Sequence, residues 1–544
     1  MPASPPRPIH KGFIAINGKA LHYVRRGTGP ALVLLHAAPC SARVMEPLQA
    51  EWADHFTTVA FDLPGFGLSD LPDANPLSTT DLADAVAEAA RALGLSQIML
   101  YGRHTGAGVA VEIARRHPDL CHCVLTDGFP VFAAPYSEAR LAEYLPPIVP
   151  QWDGGHLTWT WFRYREQHMF WPWDRAVLAH RADTDIPDLD FLHRGTTELL
   201  TAAETYVRVY ASAFRHPGLA IIDEVRVPVC YGNRPGDSQF KTVKLYPGHA
   251  RVRVFSRDPA LAAAEELEDL LAHRPAQPAP AGGSRVMRTG GTLRGYIDLP
   301  DGAVHVRGAG LERGGSPTLF IPDLPGGIDL HAEEISALAK DGPVIAFDPW
   351  GNGHSIWPAD KALSVALWAH QAEGVARHFG WSTARVVGHG TGSVVALEAL
   401  RQAPGLFETA LLRTPPALAR AGLDSFAAEY APDITPVWDG GHLLRLWHHL
   451  RDQELWFPWN RRTTAHARRT EPRIDPHWLT RRAVTLLRQP AQYRAIWREV
   501  LVYPTLETIR TLPGRVSVVS EAGDLFAACA ADASTAAGLP AQAQ

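Results

Sequence analysis

The chain contains two copies of one domain-sized sequence, one after the other. The hexapeptide WDGGHL at positions 152–157 returns at 438–443, 286 residues later. The same offset pairs Phe61 with Phe347. An internal repeat at a fixed spacing determines the architecture before any single motif is interpreted. Each copy is therefore predicted to be one whole domain, and function has to be considered for each copy separately.

The chain length agrees with two domains. At 544 residues it exceeds the ~250–300 residues over which a single hydrophobic core grows. We place the first domain at 1–272, a linker rich in proline and glycine at 273–291, and the second domain at 292–544. The second copy continues only about twenty residues past Asp524, so we expect its last strand to be incomplete.

Within the first copy, short apolar runs alternate with stretches of helical spacing. The apolar runs lie at 31–35, 57–61, 98–101 and 124–125, with helical stretches at 81–93 and 106–116 between them. This alternation predicts an α/β fold in which a doubly wound, mostly parallel sheet is covered by helices on both faces. An aromatic, helix-rich stretch interrupts the pattern at about 131–220, and again at about 417–505 in the second copy. We interpret each stretch as a helical cap over the ends of the strands.

Composition excludes several classes of partner. The formal charge is −5 and lysine and arginine form no long run, so we expect neither nucleic acid nor a membrane as partner. The sequence has no secretory signal and no run of ~18 apolar residues, which favours a cytoplasmic location. The five cysteines are few and odd in number, which indicates reduced thiols.

Three motifs of the first copy resemble a known superfamily. The sequence HAAP at 36–39 follows the third strand, FDLPGFGLSD at 61–70 follows the fourth, and GRHTG at 102–106 lies between a strand and a helix. Together they resemble the capped branch of the α/β-hydrolase superfamily, which includes epoxide hydrolases and haloalkane dehalogenases. The resemblance implies two tandem α/β-hydrolase-like domains, and GRHTG resembles the nucleophile elbow of that fold.

Both elbows depart from the pattern of the superfamily. Its central elbow residue is Ser, Cys or Asp, which forms a covalent intermediate, but here it is His104 in the first copy and Gly390 in the second. The superfamily's histidine after the eighth strand is also missing, because His249 precedes that strand. Only the acid of the triad has candidates, which are Asp127, Asp237 and Asp524.

The remaining polar residues suggest a different chemistry in the first copy. We predict that His104 is a general base oriented by Asp127, because an imidazole with a pKa near ~6.5 exchanges protons at neutral pH. The backbone amides of Ala37 and Thr105 are the candidate oxyanion hole. The second copy has Pro322, Gly390 and Arg413 where the first has His36, His104 and Asp127, so we expect any activity in the first copy.

Four further residues are candidates for substrate contact, namely His36, Asp153, His156 and Trp171. Each also has a structural interpretation. His36 could order the loop after the third strand, Asp153 could cap a helix, and the aromatic side chains of the cap could serve packing alone. The presence of WDGGH in both copies favours structure, whereas a ligand site would place His156 above His104.

These observations predict a cofactor-free enzyme, without metal, that acts on a small apolar carbonyl compound. The reaction could be a hydrolysis through activated water, or a lyase or isomerase step that needs no covalent intermediate. The alternative is a catalytically silent pseudo-hydrolase that serves as a ligand-binding or scaffold protein, with the two copies packed as an internal pseudo-dimer.

Overall fold

The computed structural model of the chain forms two compact units. The first consists of Met1–Val149 and Trp159–Met287, and the second of Pro150–Thr158 and Arg288–Gln544. The structure describes residues 8–132, 136–275, 277–300, 302–355, 357, 361–520 and 522–539.

The described residues of the first copy form eight strands and eight α-helices. The strands are β1 (Ile9–Ile16), β2 (Lys19–Arg26), β3 (Ala31–Leu35), β4 (Thr57–Phe61), β5 (Ile98–Arg103), β6 (Cys121–Asp127), β7 (Val229–Asn233) and β8 (Arg251–Val254). The helices are α1 (Glu46–Trp52), α2 (Thr79–Ala92), α3 (Thr105–Arg116), α4 (Glu138–Tyr144), α5 (Gly155–Glu166), α6 (Leu189–Thr201), α7 (Tyr206–Phe214) and α8 (Pro259–Ala272). Short 3₁₀ turns lie at Ala42–Met45, Leu178–His180, Gly218–Glu224 and Phe240–Leu245.

The strands of the first copy form one sheet in the order β1-β2-β4-β3-β5-β6-β7-β8. Strand β2 pairs antiparallel with β1 and β4, and every later pairing is parallel. All five residues of β3 and of β4 are buried, as expected for strands covered on both faces. The chain leaves β3 in opposite directions toward β4 and β5, and such a switch point opens a crevice at the carboxyl ends of the strands.

The second copy repeats this plan with eight strands and nine α-helices among its described residues. The strands are β9 (Val286–Thr289), β10 (Thr292–Leu299), β11 (Gly302–Ala309), β12 (Thr318–Ile321), β13 (Val344–Phe347), β14 (Ala384–His389), β15 (Phe407–Arg413) and β16 (Val516–Val519). The helices are α9 (Ala332–Leu338), α10 (Val365–His378), α11 (Gly392–Gln402), α12 (Leu423–Tyr430), α13 (Gly441–Asp452), α14 (Pro476–Leu487), α15 (Tyr493–Val502), α16 (Thr505–Arg510) and α17 (Ala530–Ala536). Its 3₁₀ turns lie at Ile328–His331, Thr464–His466, Pro490–Gln492 and Ala527–Cys529.

The second sheet has the order β16-β15-β14-β12-β13-β11-β10-β9. Strand β16 corresponds to β7, and within the described ranges no strand follows it, so the second sheet has no counterpart of β8. The predicted fold class is confirmed, with two mostly parallel sheets flanked by helices.

One buried aspartate organises the turn after the fourth strand of each copy. In the first copy, Asp62 accepts hydrogen bonds from Nδ1 of His22 at 2.9 Å and from the amide of Leu68 at 2.8 Å. In the second copy, Asp348 lies 2.8 Å from Nδ1 of His305. Burial would raise the pKa of Asp62, but the charge and hydrogen bond of His22 outweigh burial and lower the pKa to about 2. The acid therefore holds backbone and imidazole together in both copies and belongs to the fold.

The helical caps are inserted at the same point of both sheets. Helices α4 to α7 lie between β6 and β7, and α12 to α15 lie between β15 and β16. None of the helices in the described ranges is both long enough and apolar enough to span a lipid bilayer.

Candidate functional site

His104 lies on a strained turn between β5 and α3. Its backbone has φ 47° and ψ −111°, a conformation that residues with a Cβ rarely adopt. The turn needs small neighbours, because a Cβ on Gly102 would lie 2.3 Å from the Gly106 carbonyl and one on Gly106 would lie 2.1 Å from the Leu35 carbonyl. The tight strand-to-helix elbow predicted from the sequence is therefore present, with an imidazole at its centre.

The acid that contacts this imidazole is Asp237. Its Oδ2 lies 2.9 Å from Nε2 of His104, and its Oδ1 accepts the amide of Gln239 at 2.7 Å. Asp237 follows β7, the position at which the superfamily resemblance offered one of three candidate acids. The side chains of His104 and Asp237 are 32% and 20% exposed, so solvent reaches the pair.

Asp127 does not orient His104, and that prediction was wrong. In the parallel pairing of β5 and β6, Asp127 is the register partner of Arg103, and side chains at such positions share one face of a sheet. Its carboxylate lies 2.9 Å from Nε of Arg103 and 3.2 Å from Arg234. With His104 itself, Asp127 makes a backbone contact, in which its carbonyl accepts the His104 amide at 3.0 Å. Asp127 therefore belongs to a buried ion-pair network beneath the elbow.

The protonation of the pair follows from its surroundings. Burial would lower the pKa of His104, but the charge and hydrogen bond of Asp237 outweigh burial and raise the pKa above its ordinary value. Burial would likewise raise the pKa of Asp237, but His104 lowers it to about 2. In the neutral ring, Nε2–H donates to the carboxylate, so the lone pair is on Nδ1. Nδ1 forms no hydrogen bond with any described residue. Nδ1 is thus the nitrogen that can accept a proton.

The two candidate oxyanion amides lie on adjoining segments. Thr105 is the first residue of α3, so its amide is one of the donors that the helix itself leaves without a partner. Ala37 follows β3 by two residues, and the start of α3 abuts this segment, because a Cβ on Gly106 would lie 2.7 Å from the carbonyl of His36. The positions suit the predicted oxyanion hole, and the roles of Ala37 and Thr105 remain predictions.

His36 uses both ring nitrogens within the fold. Nδ1–H donates to the Ala37 carbonyl at 2.9 Å, and Nε2 accepts the Leu63 amide at 2.9 Å. Burial lowers its pKa, which keeps the ring neutral. The ring is fully buried, so His36 is not accessible to a substrate as expected. Its two hydrogen bonds instead order the loop after β3.

The WDGGH motif is also structural in this geometry. Oδ1 of Asp153 accepts the Gly155 amide at 3.0 Å, as Asp439 accepts the Gly441 amide at 2.8 Å in the second copy. These aspartates close the turn that precedes α5 and α13. Asp153 therefore has the helix-capping function that was the alternative to substrate contact.

Both ring nitrogens of His156 are hydrogen-bonded within the second unit. Residues Pro150–Thr158 are part of the second unit, where Nε2–H of His156 donates to Oγ1 of Thr480 at 2.9 Å and Nδ1 accepts the Gln151 amide at 3.1 Å. Burial lowers the pKa of His156 to about 4, so the ring is neutral. The bonds of His156 give it a structural role in the second unit, and its contact with a substrate of the first copy remains a prediction.

Trp171 is part of an aromatic cluster in the first unit. Its ring meets that of Tyr144 edge to face at a centroid distance of 5.7 Å. The Trp171 amide donates to the His180 carbonyl, and the Trp171 carbonyl accepts from Nδ1 of His180. The indole is only half-buried, and its role as a substrate contact remains a prediction.

The second copy has a carboxylate where the first has the candidate oxyanion segment. Asp323 is the counterpart of Ala37, and its Oδ1 accepts the amide of Thr391, the counterpart of Thr105, at 3.3 Å. A Cβ on Gly390 would lie 1.9 Å from that oxygen, so any larger residue at this elbow would displace the Asp323 carboxylate from its present position. The second copy therefore has neither a nucleophile nor a vacant oxyanion amide at Thr391.

A cluster of ionisable residues occupies the same end of the second sheet. Glu334 Oε2 lies 3.1 Å from Nδ1 of His331 and 3.0 Å from Nδ1 of His389, and Glu334 Oε1 lies 3.0 Å from Nε of Arg413. Burial would lower the pKa of His389, but the carboxylates of Asp323 and Glu334 outweigh burial and raise the pKa to about 9. Burial would raise the pKa of Glu334, but the neighbouring imidazoles outweigh it and hold the pKa well below its usual range.

This cluster was not among the residues predicted from the sequence, although the repeat contained a signal for it. His331, Glu334 and His389 stand where the first copy has Met45, Leu48 and Arg103. A comparison of the two copies would have identified this site, because the second copy has two histidines and a glutamate at these three positions. The cluster lines a cavity of about 780 Å³ in the second unit, whose wall also includes Asp323, Arg413 and Trp478.

Comparisons with known proteins agree with this architecture. Residues 30–205 match the family model described as the alpha/beta hydrolase fold. The chain is 34% identical over 139 residues to the 2-(acetamidomethylene)succinate hydrolase of Mesorhizobium japonicum, a match that covers 26% of this chain and 46% of that enzyme. It is 30% identical over 99 residues to haloalkane dehalogenase 2 of Mycobacterium bovis, which covers 18% of this chain and 35% of that protein.

The matched segments thus span less than half the length of either relative. Among solved structures, epoxide hydrolase A from Mycobacterium thermoresistibile aligns over 50% of this chain and 100% of its own, with 16% identity and a TM-score of 0.39. The resemblance seen in the sequence motifs is confirmed by the family match and by the two sheets. The part of the chain from residue 30 to residue 205 is therefore similar to the α/β-hydrolase superfamily.

Proposed function

We propose that the first copy is an enzyme in which His104, paired with Asp237, acts as a general base without forming a covalent intermediate. The observation that carries the proposal is the 2.9 Å contact between Nε2 of His104 and Oδ2 of Asp237 at a strained elbow. Strained backbone of this kind persists where the surrounding structure enforces it, and it concentrates at functional sites.

The arrangement supports hydrolysis through an activated water molecule. Nδ1 of His104 takes a proton from water as the oxygen adds to a carbonyl carbon, and the amides of Ala37 and Thr105 stabilise the oxyanion that forms. When the tetrahedral intermediate collapses, the leaving group departs with the proton that His104 held. The same base would serve a lyase or isomerase step by taking a proton from carbon.

The substrate class in this proposal is a small carbonyl compound. The aromatic side chains of the first cap, including the half-buried Trp171, suit an apolar ligand. One relative is named as a hydrolase of 2-(acetamidomethylene)succinate, so this compound belongs among the substrates to be tested. No step of the proposed reaction requires a cofactor.

The second copy does not share this activity in the proposal. The Thr391 amide already donates a hydrogen bond to Asp323, and Gly390 has no side chain that could act as base or nucleophile. The alternative for the whole chain is a catalytically silent binding or scaffold protein. It predicts no turnover of any substrate in the experiment described next.

The decisive experiment measures turnover by the full-length protein and its His104→Gln variant. The panel consists of esters, thioesters, lactones, epoxides and 2-(acetamidomethylene)succinate. Loss of the base should reduce kcat by ~10²–10⁴-fold, the range that a positioned base contributes. His55→Gln, in the loop after α1, is the matched control and should retain activity. Equal turnover by His104→Gln and the wild type would contradict the proposal.

A further inference from the structure

We infer that His331, Glu334 and His389 form a binding site for one divalent transition-metal ion such as Zn²⁺ in the second copy. One ligand atom from each of the three residues lies within 4.8 Å of the others. Two imidazoles and one carboxylate are a donor set that suits Zn²⁺ and related ions. This inference is independent of the activity proposed for the first copy, because it concerns a different cavity and needs no substrate.

The spacing of the donors fits a shared ion. Glu334 Oε2 lies 3.1 Å and 3.0 Å from Nδ1 of His331 and of His389. Ligands held at ~2.0–2.2 Å from a tetrahedral ion are themselves about 3.3 Å apart. Nδ1 of His389 is buried and makes no well-aligned hydrogen bond with any described residue, although the carboxylate is so close.

The three ligands lie on regular elements of the second copy. His331 ends the 3₁₀ turn Ile328–His331, Glu334 lies on the first turn of α9, and His389 is the last residue of β14. The separation of three residues between His331 and Glu334 places both on one side of this turn. The site is therefore formed by the backbone framework and not by long flexible loops.

Two further residues would support the ligands from outside. Oδ2 of Asp323 lies 3.9 Å from Nε2 of His331 and 3.7 Å from Nε2 of His389, so it faces the ring nitrogens that point away from Glu334. Metal-bound imidazoles commonly direct their second nitrogen to a carboxylate in this way. Nε of Arg413 lies 3.0 Å from Oε1 of Glu334, so the guanidinium faces the oxygen that the ion would not take.

The cavity gives the ion an accessible side. All three ligands line the space of about 780 Å³ in the second unit. Three protein ligands leave a fourth position of a tetrahedral ion for water or a small molecule. No metal was predicted from the sequence, and these three positions were not among its candidates. His331 and Glu334 lie more than fifty residues before His389, and the three follow no familiar ligand spacing.

The test is a metal titration of the full-length protein without an affinity tag. The protein is treated with a chelator, dialysed, and titrated with Zn²⁺ by calorimetry, and with Co²⁺ while the visible absorption of the bound ion is recorded. The wild type should bind about one equivalent of either ion more than the His389→Ala variant. Co²⁺ should show visible bands in the wild type that are lost in this variant.

Two further variants keep the test decisive. Glu334→Gln preserves the shape of the side chain but removes the anionic ligand, and it should weaken Zn²⁺ binding by at least ~10-fold. His370→Ala, an exposed histidine on α10, should bind like the wild type. The melting temperature of each metal-free variant verifies its fold. A wild type that binds no more metal than His389→Ala, or a Glu334→Gln variant with unchanged affinity, would overturn the inference.

Discussion

Nε2 of His104 lies 2.9 Å from Oδ2 of Asp237, so the elbow after β5 is joined to the loop after β7. The two residues are 133 positions apart in sequence, and the contact exists because the parallel sheet brings both strand ends to one edge. The contact orients the ring through Nε2 and leaves Nδ1 as the basic nitrogen. It also links the protonation of the base to the charge of Asp237.

The first prediction concerns Asp237→Asn and the dependence of activity on pH. A base acts in its neutral form, and Asp237 raises the pKa of His104, so wild-type kcat/KM should rise with pH and level off only above that raised pKa. Asp237→Asn removes the charge, so the pKa of His104 falls. The rise should therefore move to lower pH, and the plateau should drop by ~10²-fold because the ring is no longer held.

The control for this experiment is Asp185→Asn, an exposed carboxylate in the same unit. Its pH profile should coincide with that of the wild type. A purely structural role of Asp237 would lower activity at all pH values without moving the rise. An unchanged position of the rise in Asp237→Asn would therefore show that Asp237 does not set the pKa of the base.

The second prediction uses glycine positions to displace the pair without removing either residue. Gly128 has φ +71°, and a Cβ there would lie 3.2 Å from Oδ1 of Asp237 and 3.3 Å from Nε2 of His104. Gly18 has φ +77° and nothing within 4 Å of its Cβ position. Alanine at either position should cost ~1–2 kcal/mol through the left-handed backbone. Only Gly128→Ala should also reduce activity, by about 10²-fold, since small displacements of catalytic groups are costly.

Thermal unfolding and kcat measured on both alanine variants check this prediction. Equal losses of stability with unequal losses of activity would support a catalytic pair whose geometry matters. If Gly18→Ala lost as much activity as Gly128→Ala, the loss would come from general destabilisation and the contact of Gly128 with the pair would be irrelevant.

The third prediction explains the glycine elbow of the second copy. A Cβ on Gly390 would lie 1.9 Å from Oδ1 of Asp323, so Gly390→Ala should cost ~1–3 kcal/mol more than backbone strain alone. Gly380→Ala measures strain alone, since Gly380 has φ +75° and open space around its Cβ position. In a double-mutant cycle, Asp323→Ala should remove the extra cost. Equal cost of Gly390→Ala with and without Asp323 would disprove the collision.

The sequence predicted those features that repeat with a fixed spacing. The offset of 286 residues identified both copies, and the apolar runs located the strands of a fold whose class is confirmed. The elbow at His104 was likewise predictable, because its small neighbours are adjacent in sequence. Local patterns of this kind carry their own physical reason and need no knowledge of distant residues.

Side-chain partners across the sheet were not predictable in this way. Asp127 ends β6 and Asp237 follows β7, and both strands end at one edge of the sheet. Only the register of β6 on β5 turns Asp127 toward Arg103 and away from His104. The three-residue cluster in the second copy is similar, because His389 meets His331 and Glu334 only once β14 pairs beside β12. In both cases the chemistry depends on strand pairing, which composition and spacing do not reveal.

The last prediction tests the structural role of His156. Oγ1 of Thr480 donates to the Pro476 carbonyl at 2.6 Å, so this hydroxyl must accept Nε2–H of His156. Thr485, on the same helix α14, makes the same type of bond to the Arg481 carbonyl at 2.9 Å and is equally buried. Both threonine-to-valine variants lose the bond to the helix, but only Thr480→Val leaves a buried imidazole without its acceptor.

An unsatisfied buried donor costs ~1–3 kcal/mol, so Thr480→Val should lower the melting temperature several degrees more than Thr485→Val. The difference should persist as the pH falls, because Nε2 carries its hydrogen in both the neutral and the charged ring, whereas the stability of the wild type and of both variants should decrease together as the pH approaches 4. Burial lowers the pKa of His156 to about 4, so the neutral ring stabilises the fold above its unfolded pKa of ~6.5 and this contribution is lost as the pH falls. Equal melting temperatures for the two variants at pH 7 would mean that the His156 bond contributes nothing to the second unit.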